Sequence, residues 1–163
     1  MNYGDFLQKF DKQLDIYFKE HAEFIHCKKG CSLCCENGDY PLSQAELEYL
    51  MQGYIALNDN DKRLVQNNIK TFVKGGKCPF LINQFCSVYQ YRPIVCRVHG
   101  LAYKCKNNVK VPYCVNYGKN YTNVYENGYI TINPILDNLD TPSVLKEYDY
   151  GEVRNLYDWL FLV

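Results

Sequence analysis

The sequence predicts a mostly α fold, a small single domain of amphipathic helices around a cysteine-rich, irregular metal-binding centre, with one short β-hairpin. Three observations lead there. An apolar stripe of helical period opens the chain, a middle stretch broken by proline and glycine carries closely spaced cysteines, and one Asn-Gly pair separates two tyrosine-containing runs. A length of 163 residues suits one domain over 1–163, and 47% hydrophobic against 22% charged residues marks it as globular.

Tyr3, Leu7, Phe10, Leu14, Tyr17, His21 and Phe24 recur at alternating steps of four and three, the signature of a helix over 3–25. Asp11, Lys12, Asp15, Lys19 and Glu20 fall mostly on the other side, and His21, on the stripe, reads as a core or helix-surface histidine. A compact loop over 27–40 follows. Ser43 with Glu46 then forms a capping box, and Leu42 with Leu47 fits the hydrophobic staple, so a second helix starts there with Leu47, Leu50, Met51 and Tyr54 inward. After Asn58-Asp59-Asn60, a third helix turns Leu64, Val65, Ile69 and Phe72 inward and stops at Gly75-Gly76.

From Cys78 to Cys114 no long period survives. Pro79, Pro93, Gly100 and Pro112 punctuate short apolar pieces, which predicts turns and brief helices held by something other than a core. Asn127-Gly128 between Tyr121–Glu126 and Tyr129–Asn133 predicts the hairpin. Thr141-Pro142 opens a C-terminal helix over about 142–161, with Gly151 as a break point.

Lys+Arg and Asp+Glu both number 18, so the net charge is zero and the electrostatic footprint of a nucleic-acid or anionic-membrane binder is missing. No apolar run approaches the roughly 20 residues that span a bilayer. Met1–Phe6 lacks a basic segment leading into an apolar core, so the expected location is the cytoplasm. In that reducing compartment nine cysteines are many, and an odd number leaves a disulfide framework incomplete. Metal ligation or redox chemistry explains them better.

The first cluster is Cys27-Lys28-Lys29-Gly30-Cys31-Ser32-Leu33-Cys34-Cys35. A tight loop can turn several thiolates toward one point, at about 2.3 Å each for tetrahedral zinc, and iron–sulfur clusters use similar spacings. Adjacent Cys34 and Cys35 are hard to place on one ion, so they fit two roles or two sites. The second cluster holds Cys78, Cys86 and Cys96. Cys105 or Cys114 would make eight sulfurs, enough for two four-coordinate sites or for one cluster with additional reactive thiols. Thiolate centres carry net negative charge, and Arg92 and Arg97 bracket Cys96 as candidate outer-sphere cations. His26 and His99 are alternative donors in a mixed site.

The string C-x3-C-x2-C-C, then CPFL, then C-x-V-Y-x2-R-P-x3-C-R, resembles the YkgJ-type cysteine-cluster family, a zinc- or iron-chelating domain also written CxxCxxCC. The resemblance covers roughly 27–100. It implies that Cys27, Cys31, Cys34, Cys35, Cys78, Cys86 and Cys96 are the family's cysteine positions, with Cys114 a later match and Cys105 a spare thiol. Where the family name has a two-residue gap, this chain has Lys28-Lys29-Gly30. The cysteine-cluster core then spans about 27–114.

Three functions follow as expectations. The first is a protein chelating zinc through thiolates, as a structural or carried metal. The second is an iron–sulfur protein, with a [4Fe-4S] or other cluster, in a redox or methyl-transfer-supporting role. The third is a metal-stabilised module whose tyrosine-rich surface binds a protein partner. No phosphate loop, Ser/His/Asp order or dinucleotide fingerprint is present, so no enzyme class is indicated.

Overall fold

The computed structural model describes residues 2–26 and 32–161. Helix α1 (Tyr3–Glu20) starts where the Asn2 side chain accepts the Asp5 N–H at 2.8 Å, and it buries Leu7, Leu14 and Tyr17 of the predicted stripe. A 3-10 turn, Ala22–Phe24, follows it, and another covers Leu33–Asn37. Strand β1 (Pro41–Ser43) leads into α2 (Gln44–Ile55), whose capping box is formed. Asn58 caps α3 (Asp59–Lys70) by accepting the Asp61 N–H at 2.8 Å. Strands β2 (Leu81–Ile82) and β3 (Phe85–Cys86) precede the short α4 (Ile94–Arg97). Then come β4 (Tyr103–Cys105), β5 (Asn108–Lys110), β6 (Tyr125–Glu126), β7 (Tyr129–Ile130), β8 (Ile135–Asn138), α5 (Thr141–Val144), β9 (Val153–Asn155) and α6 (Leu156–Phe161).

The chain is therefore mixed α and β, which corrects the expectation of a mostly α fold with one hairpin. Nine strands among the described residues form four small sheets. The Asn127-Gly128 hairpin is there, with both residues at positive φ, joining β6 to β7. Two further antiparallel pairs turn on left-handed residues that are not glycine: Asn83 and Gln84 between β2 and β3, and Lys106 between β4 and β5. The remaining pairings join remote segments. β1 runs antiparallel to β9, and β8 runs parallel to β4.

The expected helix over about 142–161 is likewise corrected. It stops at Val144 and restarts at Leu156, because the intervening backbone has other partners. The Tyr150 and Glu152 carbonyls accept the Ala45 and Gln44 N–H groups at the open start of α2 (3.1 and 2.8 Å), and β9 pairs with β1. Gly151, at φ +74, packs so closely that a Cβ there would lie 2.7 Å from the Gln44 side-chain oxygen.

The described residues divide between two compact units: Met1–Cys27 with Arg97–Leu139, and Lys28–Cys96 with Asp140–Val163. The first unit has a core around Ala102, Val115 and Tyr121, with Phe24 and Ile25 packed on it. The second gathers Leu42, Leu50, Val65, Phe72, Phe80, Val88 and Leu156. Among the described residues, no helix is long and apolar enough to cross a membrane.

Candidate metal centre

Five of the predicted thiols, Cys34, Cys35, Cys78, Cys86 and Cys96, lie in the second unit, on three chain segments. Cys27 and Cys31 lie outside the described residues. Cys34 and Cys35 sit in the 3-10 turn, where the Cys35 N–H donates to the Ser32 carbonyl at 2.9 Å. The Tyr40 hydroxyl donates to the Cys34 carbonyl at 2.8 Å, which fixes the turn from its far side.

This turn is stitched to the second cluster. The Cys78 N–H donates to the Cys35 carbonyl at 2.8 Å, and the Gly38 N–H to the Gly76 carbonyl at 2.9 Å. A Cβ at Gly38 would lie 2.4 Å from the Cys78 Cβ and 2.9 Å from the Cys35 carbonyl oxygen, so the approach needs a residue with no side chain. Cys78 and Cys86 share one knuckle. The Leu81 N–H donates to the Cys78 carbonyl at 3.2 Å, and Leu81 pairs with Cys86 across the β2–β3 hairpin. Both thiols flank the second unit's apolar core. The α3 residue Asn68 braces the knuckle by donating to the Pro79 carbonyl at 3.0 Å.

Cys96 rides on α4. Its N–H donates to the Pro93 carbonyl at 3.1 Å, and the Ile94 N–H donates to Glu46 Oε1 at 2.7 Å. Arg92 folds over this segment. Its guanidinium lies 3.7 Å from the centre of the Tyr89 ring, and it donates to the Tyr89 carbonyl (2.9 Å) and the Cys96 carbonyl (3.3 Å).

Electrostatics ties the five thiols into one group, since each of the four whose ionisation shifts responds to others. A hydrogen bond with Cys34, then burial, then the charges of Cys34, Cys78 and Cys96 push Cys35 far up. Burial first, then Cys86 and Cys34, raise Cys78 to about 12. Burial drives Cys86 up and Cys96 well up, with repulsion from neighbouring cysteines adding to it and the Arg92 charge opposing it in both. With protein groups alone, thiolates here are costly. A bound cation reverses the sign of that account, because it supplies the positive charge the cluster needs. Among the described residues no group of three His, Cys, Asp or Glu side chains is placed to hold a metal ion as it stands. The donor chemistry nonetheless fits a thiophilic metal: soft sulfur ligands from three segments, held in one unit by main-chain hydrogen bonds, with a guanidinium beside them.

The other predicted residues lie in the first unit. Cys114 is buried in a 3-10 turn, Tyr113–Tyr117, and Cys105 ends β4. Arg97 is buried and donates to Asp11 Oδ2 at 2.7 Å. His21 is a core histidine, 2.7 Å from the Tyr121 hydroxyl through Nδ1. The His26 N–H donates to Asn120 Oδ1 at 2.7 Å, and burial, with Lys110 adding to it, lowers His99 to about 4.

Sequence reading assigned Glu46 only to the capping box. Its further bond to Ile94, 48 positions away, has no local signal; the presence of a capping residue able to offer two acceptor oxygens is the one hint.

Residues 26–120, more than half of the chain, match the CxxCxxCC family, whose description reads "Putative zinc- or iron-chelating domain". Among curated proteins, the ATP-dependent DNA helicase hus2/rqh1 of Schizosaccharomyces pombe is 30% identical over 66 residues, 40% of this chain. The match spans 5% of that helicase's length. No solved structure matches.

Proposed function

The chain belongs to the CxxCxxCC family of zinc- or iron-chelating domains, and from that premise we propose that it chelates zinc through the thiolates of its second unit, as a structural or carried metal. The observation that supports this most is the stitching of Cys35 to Cys78 by a 2.8 Å main-chain bond, which joins the backbones of two cysteine segments 43 positions apart. Cys34, Cys35, Cys78, Cys86 and Cys96 are the thiols from which four ligands are drawn, with Cys31 beside them in the chain. Arg92 offsets the net negative charge that a dication in four thiolates carries.

Zinc supplies no redox chemistry; its contribution is cohesion. Structural zinc binding is worth on the order of 10 kcal/mol, comparable to the stability of a whole domain. That suits a segment whose backbone, from Cys78 to Cys96, is organised by turns and two-residue strands rather than by long elements. Ligation requires deprotonated sulfur, and a reducing compartment keeps the thiols available.

Elemental analysis and visible absorption of protein purified without oxygen test the proposal. The expected preparation is colourless, with stoichiometric zinc. Brown protein with iron and labile sulfide would replace zinc by an iron–sulfur cluster, and protein free of both metals would overturn the chelation reading.

A further inference from the structure

Glu46 is 1% exposed and spends both carboxylate oxygens on main-chain donors. Oε2 accepts the Ser43 N–H at 2.7 Å, closing the capping box of α2, and Oε1 accepts the Ile94 N–H at 2.7 Å. A capping box needs only one of these, and glutamine satisfies it as well as glutamate. Burying a carboxylate is expensive unless its acceptor sites are filled, so the second bond is what makes a carboxylate fit here. Pro93 has no N–H, which makes Ile94 the first donor in the turn that carries Cys96.

The same face of α2 holds the rest of that segment. Tyr49, three residues on, lies 4.9 Å from Tyr91 between ring centres, and at Gly53 a Cβ would sit 2.5 Å from the Tyr91 ring. Positions 46, 49 and 53 thus form a helical row against residues 91–94.

We infer that Glu46 is a positioning residue for the metal centre: its second oxygen latches the Cys96 turn to α2 and so sets where the Cys96 sulfur stands. This rests on the reading of Cys96 as a ligand. A glutamine at 46 has one carbonyl oxygen for two main-chain donors, so it cannot serve both the cap and the latch, and the cap's share of any loss is read from Ser43→Ala. Removing the Ser43 hydroxyl weakens the cap and spares the latch.

Zinc affinity, measured by competition with a chromophoric chelator, is compared among wild type, Glu46→Gln and Ser43→Ala, with the metal-free fold of each followed by circular dichroism. Glu46→Gln is expected to weaken zinc binding at least about 10-fold, the scale of lost outer-sphere support, and Ser43→Ala to leave it within about 2-fold. Cobalt-loaded Glu46→Gln should also lose sulfur-to-cobalt charge-transfer intensity. Equal affinity in Glu46→Gln and wild type would overturn the inference, as would equal weakening in both variants or failure of Glu46→Gln to fold. If wild type itself binds neither zinc nor cobalt, the chelation reading fails separately. The latch is then read in metal-free protein from iodoacetamide alkylation of Cys96, faster in Glu46→Gln than in Ser43→Ala if it exists and equal if it does not.

Discussion

Irregular backbone in the first unit is held by neutral hydrogen-bonding groups, and in the second it surrounds sulfur. Asn120 is completely buried, accepting the His26 N–H at 2.7 Å and donating to the Gly100 carbonyl at 2.8 Å. The Tyr121 hydroxyl accepts the Ala102 N–H at 3.0 Å and lies 2.7 Å from His21 Nδ1, and burial lowers the His21 pKa in keeping with a neutral ring. These groups satisfy one another with nothing added. The thiols of the second unit raise one another's cost of ionisation, and positive charge, such as that of Arg92, opposes it. A fold can thus order loops with neutral polar pairs alone, or with like groups that a cation completes.

Metal removal should separate the two units most strongly. With chelator present, amides of 34–40 and 78–96 should lose hydrogen-exchange protection on the order of 10 kcal/mol, while those of 100–121 keep most of theirs. Ligand variants follow the same line: Cys34→Ser or Cys96→Ser should lower metal content more than Cys105→Ser, which lies in the first unit. Equal protection loss in both units would erase the contrast.

In metal-free protein, acid should act on the first unit instead. His99 is held near 4, against 6.5 for the free side chain, so unfolding takes up a proton once the pH falls below about 6.5. The first unit should keep its full stability above that value, lose up to about 3 kcal/mol as the pH approaches 4, and lose no more from this group below it. Denaturant unfolding of metal-free protein at pH 7 and pH 4.5 measures this, and a His99→Gln chain should show a flatter dependence.

Two glycines sharpen the comparison on a smaller scale. Gly38, at φ −88, needs no special backbone, yet its Cβ would strike Cys78 at 2.4 Å; Gly38→Ala should cost about 1–3 kcal/mol and lower metal content. Gly118, at φ +69 with nothing within 4 Å, should lose about 1 kcal/mol as alanine from backbone strain alone, with metal content intact. Calorimetry and metal analysis on both variants distinguish contact from conformation.

What was legible in the chain was local. The α1 stripe, the Ser43–Glu46 box and the Asn127-Gly128 turn each write their cause within a few residues, and each is found. The β2–β3 and β4–β5 turns escaped because Asn83, Gln84 and Lys106 adopt left-handed backbone without the glycine that would advertise it. The β1–β9 and β4–β8 pairings escaped because three- to four-residue strands carry no period, and their partners lie more than 30 positions away. For the same reason the apolar residues after Thr141 suggested a helix over about 142–161 with a break at Gly151, although residues 150–155 serve β1 and α2 instead. At the site, cysteine spacing named the five thiols that share the second unit. It could not reveal that Cys114 belongs to the other unit or that Glu46 reaches Ile94.

The bond from the Cys78 N–H to the Cys35 carbonyl also sets a timetable for the chain as it leaves the ribosome. At about 5–20 residues per second, Cys35 waits roughly 2–9 seconds for its main-chain partner to be made, longer for Cys96, and longest for β9 to arrive beside β1. Over that interval the early sulfurs emerge without the scaffold that later surrounds them, so shielding them from oxidants is a task for the cell before it becomes a property of the fold.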